Sequence, residues 1–456
     1  MCQKILLSVL FSFTAAVCSP GSGLSVLIIG DSNTEHGFIS LALADTVRSY
    51  YGGSSGTGYI PFDAAFYELR YQRVPRFSME YPDTWKVIDM FEGSRLQEKP
   101  YLSPNGQWLK SASVGATAMV TFPGNGVEVY WLAQPTGGDF SIRIGSTYQC
   151  TVSTAGPTSV HKTSVTGLTG SSQFMQCSVT SLPEAQSSVV LLGVDARSDS
   201  SESTGGRSVV HNWGNGWSAT SDFLAIDSLV FQTGLRELAP DIVVVLLGTN
   251  DHLQDSRSAA DLKVNLKAIL NRIKAAGFSG KIMLVSTFMT DNESGRTFVP
   301  QYRATAWPEA AAETGVPYWD MSTWYGNWDP RYMMDGNHCN ATGGRKIAVE
   351  MFRQILAAFP ATGISRKAND VRPAVAMQGQ PWYTQGRIIL PGQQGMPQSV
   401  ELFSPDGSCK EIVLPGKPVS TGISYTVPRL GRGVYSLRAR WKDRSVRTWL
   451  VTVLSQ

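Results

Sequence analysis

Four short polar segments of this 456-residue chain hold side chains that could act together: Gly30-Asp31-Ser32-Asn33, Gly214-Asn215-Gly216, Gly248-Thr249-Asn250-Asp251 and Asp335-Gly336-Asn337-His338. A serine hydroxyl becomes a nucleophile only when a nearby base takes its proton. The chain offers five histidines for that task, His36, His161, His211, His252 and His338. Only His338 has an acid three positions before it, Asp335, which at that offset can hold the Nδ1 proton while Nε2 faces Ser32. Acyl transfer also needs donors for the developing oxyanion, and losing one costs about 10² to 10³ in rate. The carboxamide of Asn250 and the backbone amide of Gly216, with Gly214 as a neighbouring alternative, stand where such donors are wanted. Each segment also has a plainer reading, as a helix cap, a tight glycine turn or a polar loop around a satisfied histidine.

What must position these residues is legible in the hydrophobic pattern. Ser25 to Ile29 is an apolar run that ends in the first polar segment, and helical spacing follows from Thr34 to Tyr50. The alternation resumes with strands at Ser208 to His211, Asp241 to Leu247, Lys281 to Ser286 and Val316 to Trp319, and helices at Ser221 to Leu238, Ala259 to Ala276 and Arg345 to Phe359. Strands alternating with helices imply parallel βαβ units, hence a doubly wound α/β sheet whose ligand sites lie at the carboxyl ends of the strands. All four polar segments fall there. The first βα unit is cut off from the rest by about 150 residues, too long for a structureless loop. From Trp108 onward that stretch alternates as short strands do (AMVTF, VEVYWLA, FSIRI, VVLLGV), so it is expected to be an inserted β-sandwich with a flexible return at Ser198 to Gly206. A further alternating stretch beyond Phe359 predicts a second, smaller β-sandwich. The expected boundaries are 21–75 and 205–362 for the α/β core, 76–204 for the insertion, 363–378 for a linker and 379–456 for the last domain. The one literal GxSxG, Gly52 to Gly56, follows a helix and reads as linker, not as a nucleophile elbow.

Composition limits the function classes. Hydrophobic residues make up 42% and charged residues 16%, with a formal net charge of +3 and no basic cluster, so no nucleic-acid footprint is present. Residues 1–20 read as a signal peptide, with Lys4 before an apolar run too short to span a bilayer, and no later run reaches transmembrane length. The expected location is therefore secreted, periplasmic or cell-surface, without an integral membrane segment after signal removal; a lipid anchor at Cys18 has only a weak AAV lipobox behind it. In an oxidising compartment Cys150 and Cys177 are candidates for a disulfide, while Cys339 and Cys409 pair or stay as thiols. The absence of any CxxC pair argues against zinc.

Taken in order, GDSNT, the Gly216 turn, GTND and DGNH resemble the four sequence blocks of the SGNH hydrolases, the branch of the GDSL esterases named for catalytic Ser, Gly, Asn and His. The resemblance implies Ser32 as nucleophile, His338 as base, Asp335 as its orienting acid, and Ser32 NH, Gly216 NH and the Asn250 side chain as the oxyanion hole, with no metal and no cofactor. A core split by a β-sandwich, together with the GTGYIPF segment at Gly56 to Phe62, resembles the bacterial peptidoglycan O-acetylesterases. Related secreted enzymes deacetylate plant polysaccharides such as xylan. The chain departs from them in Asn33 after the serine and in its last domain, which resembles sorting domains of secreted glycan-degrading enzymes. The implied partner is an O-acetylated polysaccharide or peptidoglycan, with Tyr130, Trp131 and Trp217 as candidates for stacking on sugar rings. The competing expectations are an SGNH lipase or thioesterase, and a non-catalytic glycan-binding surface protein.

Overall fold

The computed structural model describes residues 23–51, 54–62, 77–92, 94–96, 99–146, 148–198, 207–288, 298–326 and 328–359, and eight strands between 382 and 453. Five parallel strands lie in the order Arg207–Gly214, Ser25–Gly30, Ile242–Leu246, Lys281–Val285, Tyr318–Trp319. The central ones are apolar on both faces, as IVVVL shows with all five residues buried, because helices cover both sides of the sheet. Register divides them into two cores. Trp213, Ile29, Val245 and Leu284 stand side by side across the sheet and pack under Ser228–Leu238, Ala259–Ala275 and Trp307–Thr314. On the opposite face Ile28, Val244 and Met283 meet Phe38–Tyr51 and Ala341–Ala358. Each such buried side chain contributes roughly 1.5 to 3 kcal/mol.

Two helices are shorter than the apolar spacing predicts. Positive φ at Gly37 (76°) separates a single turn, Ser32–Glu35, from Phe38–Tyr51. Asp227 starts a new helix by capping Leu229 and Val230, so the stretch expected at Ser221 to Leu238 becomes Thr220–Leu224 and Ser228–Leu238.

The inserted segment continues the core sheet. Strands Ser159–Val165, Gly126–Ala133 and Val189–Ser198 pair antiparallel, and Ser54–Gly56 joins Val189–Ser198 on one side to Arg207–Gly214 on the other. The GxSxG segment expected to be linker thus supplies a strand at the seam. A second sheet, in the order Tyr148–Ser153, Asp139–Ile144, Ser172–Ser181, Thr117–Pro123, Ser78–Glu80, covers it through Val120, Phe122, Phe140, Ile142 and Met175. The other face of the antiparallel strands packs into the α/β core, with Tyr130, Leu132 and Val160 in the same cluster as Phe231 and Trp213. The return expected at Ser198 to Gly206 lies, from 199 on, outside the described residues.

The disulfide candidates do not pair. Cys150 and Cys177 are free thiols that face Ile142 from strands on either side of it. Two strand spacings put their Cα atoms about 9.5 Å apart, beyond the roughly 7 Å a disulfide can reach. Tyr130, proposed for sugar stacking, is a core residue: it is 1% exposed, edge-on to Tyr59 and donates to Glu128 Oε2 at 2.7 Å.

The chain divides into two compact units, Met1–Ile364 and Ser365–Gln456. In the second, eight strands form two four-stranded antiparallel sheets, one from Trp382–Thr384, Arg387–Leu390, Gly422–Thr426 and Lys417–Val419, the other from Cys409–Val413, Ser399–Phe403, Gly433–Arg440 and Val446–Val453. No helix among the described residues is long and apolar enough to cross a membrane. The signal segment, Cys18 and the linker lie outside the described residues.

Candidate active site

The first strand ends at Gly30, and Asp31 caps the turn that follows by accepting from Asn33 N at 3.0 Å. Gly30 is required for this tight exit, since a Cβ there would lie 2.0 Å from Thr34 Oγ1. The turn lifts Ser32 out of the sheet while its neighbours stay buried. Burial pushes the Asp31 carboxyl above the usual carboxylate range, against the opposing Asn33 amide bond.

His338 reaches this turn from the far end of the chain. Its Nε2 lies 2.9 Å from Ser32 Oγ and its Nδ1 lies 2.7 Å from Asp335 Oδ2. A carboxylate only accepts, so Nδ1 carries the proton and Nε2 takes the serine hydroxyl's hydrogen bond. Asp335 Oδ1 accepts from the amides of Asn337 (2.7 Å) and His338 (2.8 Å), which closes the loop on itself. Partial burial raises the Asp335 carboxyl, but the bonds from His338 and the two amides outweigh it and hold the group below the usual carboxylate range. Three of the other four histidines are committed elsewhere, and the fourth packs on His338. His211 is buried between Ser25 Oγ and Tyr59 N, His161 stacks on Trp131, His252 stacks on Phe298, and His36 lies against His338 itself at 4.5 Å between ring centroids.

Two residues to which sequence reasoning assigned no role lie beside this pair, Asn33 and His36. Asn33 Nδ2 donates to Asn337 O at 3.2 Å, and Asn33 Oδ1 accepts from Cys339 N at 3.2 Å, so one carboxamide grips the chain on both sides of His338. His36 follows Ser32 by four positions, the spacing that returns to the same side of a helical turn, and that spacing is the signal that could have found it.

The oxyanion donors converge from two further strand ends. Gly216 is buried in the turn after Arg207–Gly214, and neither its amide nor that of Ser32 meets an acceptor among the described residues. Gly214, the alternative, packs against the serine turn instead; a Cβ on it would lie 2.2 Å from Glu35 N. Asn250 is buried near the start of Thr249–Leu253 and donates one amide hydrogen to Ser218 O at 3.1 Å, leaving its second. Asp251, next to it, lies outside the donor set. Its carboxylate accepts from Thr220 N at 3.0 Å and from the Thr220 hydroxyl and pairs with Arg257, tying the GTND helix to the segment after the Gly216 turn. Burial pushes Asp251 up to about 6, against those bonds.

The structure therefore brings Ser32, Asp335, His338, Gly216 and Asn250 to one rim of the parallel sheet. Residues 194–346 match the model of the GDSL-like lipase/acylhydrolase family. The matched span contains Gly216, Asn250, Asp335 and His338 and leaves out Ser32, which stands before the insertion. Over these residues the chain carries a GDSL-like lipase/acylhydrolase domain, which supports a carboxylic ester hydrolase. A peptidoglycan O-acetylesterase shares the fold at 16% identity and a TM-score of 0.55, covering 74% of this chain and 91% of that one. Two others are a family two carbohydrate esterase from Clostridium thermocellum (13% identity, TM-score 0.28, 62% of this chain and 100% of that one) and the salicylyl-acyltransferase SsfX3 of a tetracycline biosynthetic pathway (15%, 0.29, 63% and 99%). A search of curated proteins gives no match.

Proposed function

We propose that this protein is an exported serine esterase that removes O-acetyl groups from a glycan, peptidoglycan or a hemicellulose such as xylan. The observation that carries the reading is the continuous line Asp335–His338–Ser32, with hydrogen-bond distances of 2.7 and 2.9 Å. In the reaction His338 Nε2 takes the Ser32 proton as Oγ bonds to the acetyl carbonyl carbon. The oxyanion accepts from Ser32 NH, Gly216 NH and the second amide hydrogen of Asn250. His338 returns the proton to the leaving sugar oxygen, and water deprotonated by His338 then splits acetyl-Ser32 into acetate and free enzyme. None of these steps calls for a metal or cofactor. The glycan part rests on fold likeness to a peptidoglycan O-acetylesterase and on Trp217, which stands 51% exposed one residue after Gly216, where a sugar ring can stack on it.

The test is acetate release from O-acetylated peptidoglycan and from acetylated xylan, for wild type and Ser32→Ala. The expected result is release by wild type and a loss of about 10⁴-fold or more in the variant. Release from peptidoglycan alone assigns wall remodelling, and release from xylan assigns nutrient breakdown. Preference for long-chain esters over both would move the reading to a lipase, and glycan binding without acetate release would move it to a binding protein.

A further inference from the structure

The inserted segment sends one short turn into the catalytic rim. At the end of strand Lys86–Asp89, the Asp89 carboxylate accepts from Asn215 Nδ2 at 2.9 Å and from Phe91 N at 3.0 Å through Oδ1, and from Gln107 Nε2 at 3.1 Å through Oδ2. Asn215 is fully buried and immediately precedes Gly216, whose amide meets no acceptor among the described residues. On the other side of Gly216, Trp217 adopts φ of 60°, a left-handed conformation that a bulky residue keeps only when its surroundings over-determine it. Its ring lies parallel to that of Phe91, 15° between planes and 6.1 Å between centroids. Both flanks of Gly216 are thus held by the insertion, one through Asp89 and the other through Phe91. Gln107 continues the brace, donating also to Glu35 on the single turn that begins at Ser32.

From this geometry we infer that Asp89 is a positioning residue for the oxyanion hole, and that one role of the insertion is to hold the Gly216 amide in line with Ser32. The core strand ends at Gly214, and among the described residues the hydrogen bonds that fix the next three without the brace are Asn215 N to Gly30 O (3.0 Å) and Ser218 Oγ to Asn215 O (2.7 Å). A donor displaced by a fraction of an ångström still binds substrate but no longer matches the transition state. The inference rests on the serine-esterase reading.

The experiment measures p-nitrophenyl acetate hydrolysis by the full chain, with active sites counted by fluorophosphonate labelling of Ser32. Asp89→Ala is expected to lower kcat per labelled site by roughly tenfold to a hundredfold with KM within about threefold. Its affinity for a trifluoromethyl ketone, whose adduct oxygen occupies the hole, should weaken in parallel with kcat/KM. Asp89→Asn, which keeps an acceptor facing Asn215, should recover most of the loss. Should Asp89→Ala not fold, Asn215→Ala breaks the same bond from the other side and is held to the same expectations. Where both fold, the double variant should be no worse than the poorer single. A kcat per labelled site within threefold of wild type, an Asn variant as impaired as the Ala variant, or additive losses in the double variant would each overturn the inference. Wild type that neither labels nor hydrolyses the ester would instead bring down the esterase reading itself.

Discussion

Ser32 and His338 are 306 positions apart in the chain and 2.9 Å apart in space, and the residue that maintains this distance is the neighbour of the serine, Asn33. Its carboxamide bonds to the carbonyl of Asn337 and the amide of Cys339, the two residues that flank the base. The nucleophile's turn and the base's loop are therefore one hydrogen-bonded body.

Asn33→Ala should separate them. The expected outcome is a fall in kcat of about tenfold to a hundredfold with KM little changed, the cost of a base displaced by an ångström or less. Fluorophosphonate labelling of Ser32 should slow in step with kcat. Equal rates for variant and wild type would show that the loop keeps its place without the clamp.

Asp335→Asn keeps the shape but presents an amide or a neutral carbonyl to Nδ1, so the ring loses its fixed tautomer. A drop of about 10⁴ in kcat at neutral pH is expected, by analogy with the serine triads in which the acid orients the imidazole. Steady-state hydrolysis of a soluble acetate ester from pH 5 to 9 measures it. A drop under tenfold would demote Asp335 to a loop-closing residue, since its Oδ1 contacts to the Asn337 and His338 amides would then be its main work.

The raised carboxyl of Asp251 makes a statement about stability. The native state holds this proton up to about 6, while the unfolded chain releases it near 4. Asp251 therefore contributes stability that is fully present below about pH 4 and is lost as pH rises to about 6. The difference across that window is on the order of 2 to 3 kcal/mol. Urea unfolding at pH 4.5 and pH 6.5 should show a shallower decline in Asp251→Asn than in wild type, even though the variant is less stable at both. Parallel declines would contradict the burial argument.

The thiols give a test of the insertion. Cys177 is fully buried, and burial, reinforced by the nearby Cys150, pushes its thiol up to about 12. Iodoacetamide at pH 8 should leave Cys177 and Cys339 unmodified in native protein, modify both in denaturant, and reach the half-buried Cys150 first. Peptide mapping without reductant should show no Cys150–Cys177 cross-link, and finding one would mean the strand order of this sheet is wrong.

The primary structure is legible where the information is local. Ser25–Gly30 and Ile242–Leu246 were recognisable because strands buried on both faces read as unbroken apolar runs, and the site segments because glycine and small polar residues must punctuate strand ends. The Asp335 to His338 offset is itself a local relation, and it singled out one histidine of five. The helix ends were less legible, since Gly37 and Asp227 decide them by backbone conformation and capping inside otherwise helical spacing.

Amino-acid order alone thus determined which residues could perform the chemistry and that a parallel α/β sheet would carry them, because residue type and hydrophobic period are properties of neighbours in sequence. Only the tertiary structure decided the rest. That Asn33 clamps His338, that Cys150 and Cys177 stand on either side of Ile142, and that Asp89 of the insertion bonds beside Gly216 all depend on register and packing between distant segments. A one-residue slip in strand register would turn Cys150, Cys177 or Asp89 to the other face, and no local pattern records that choice.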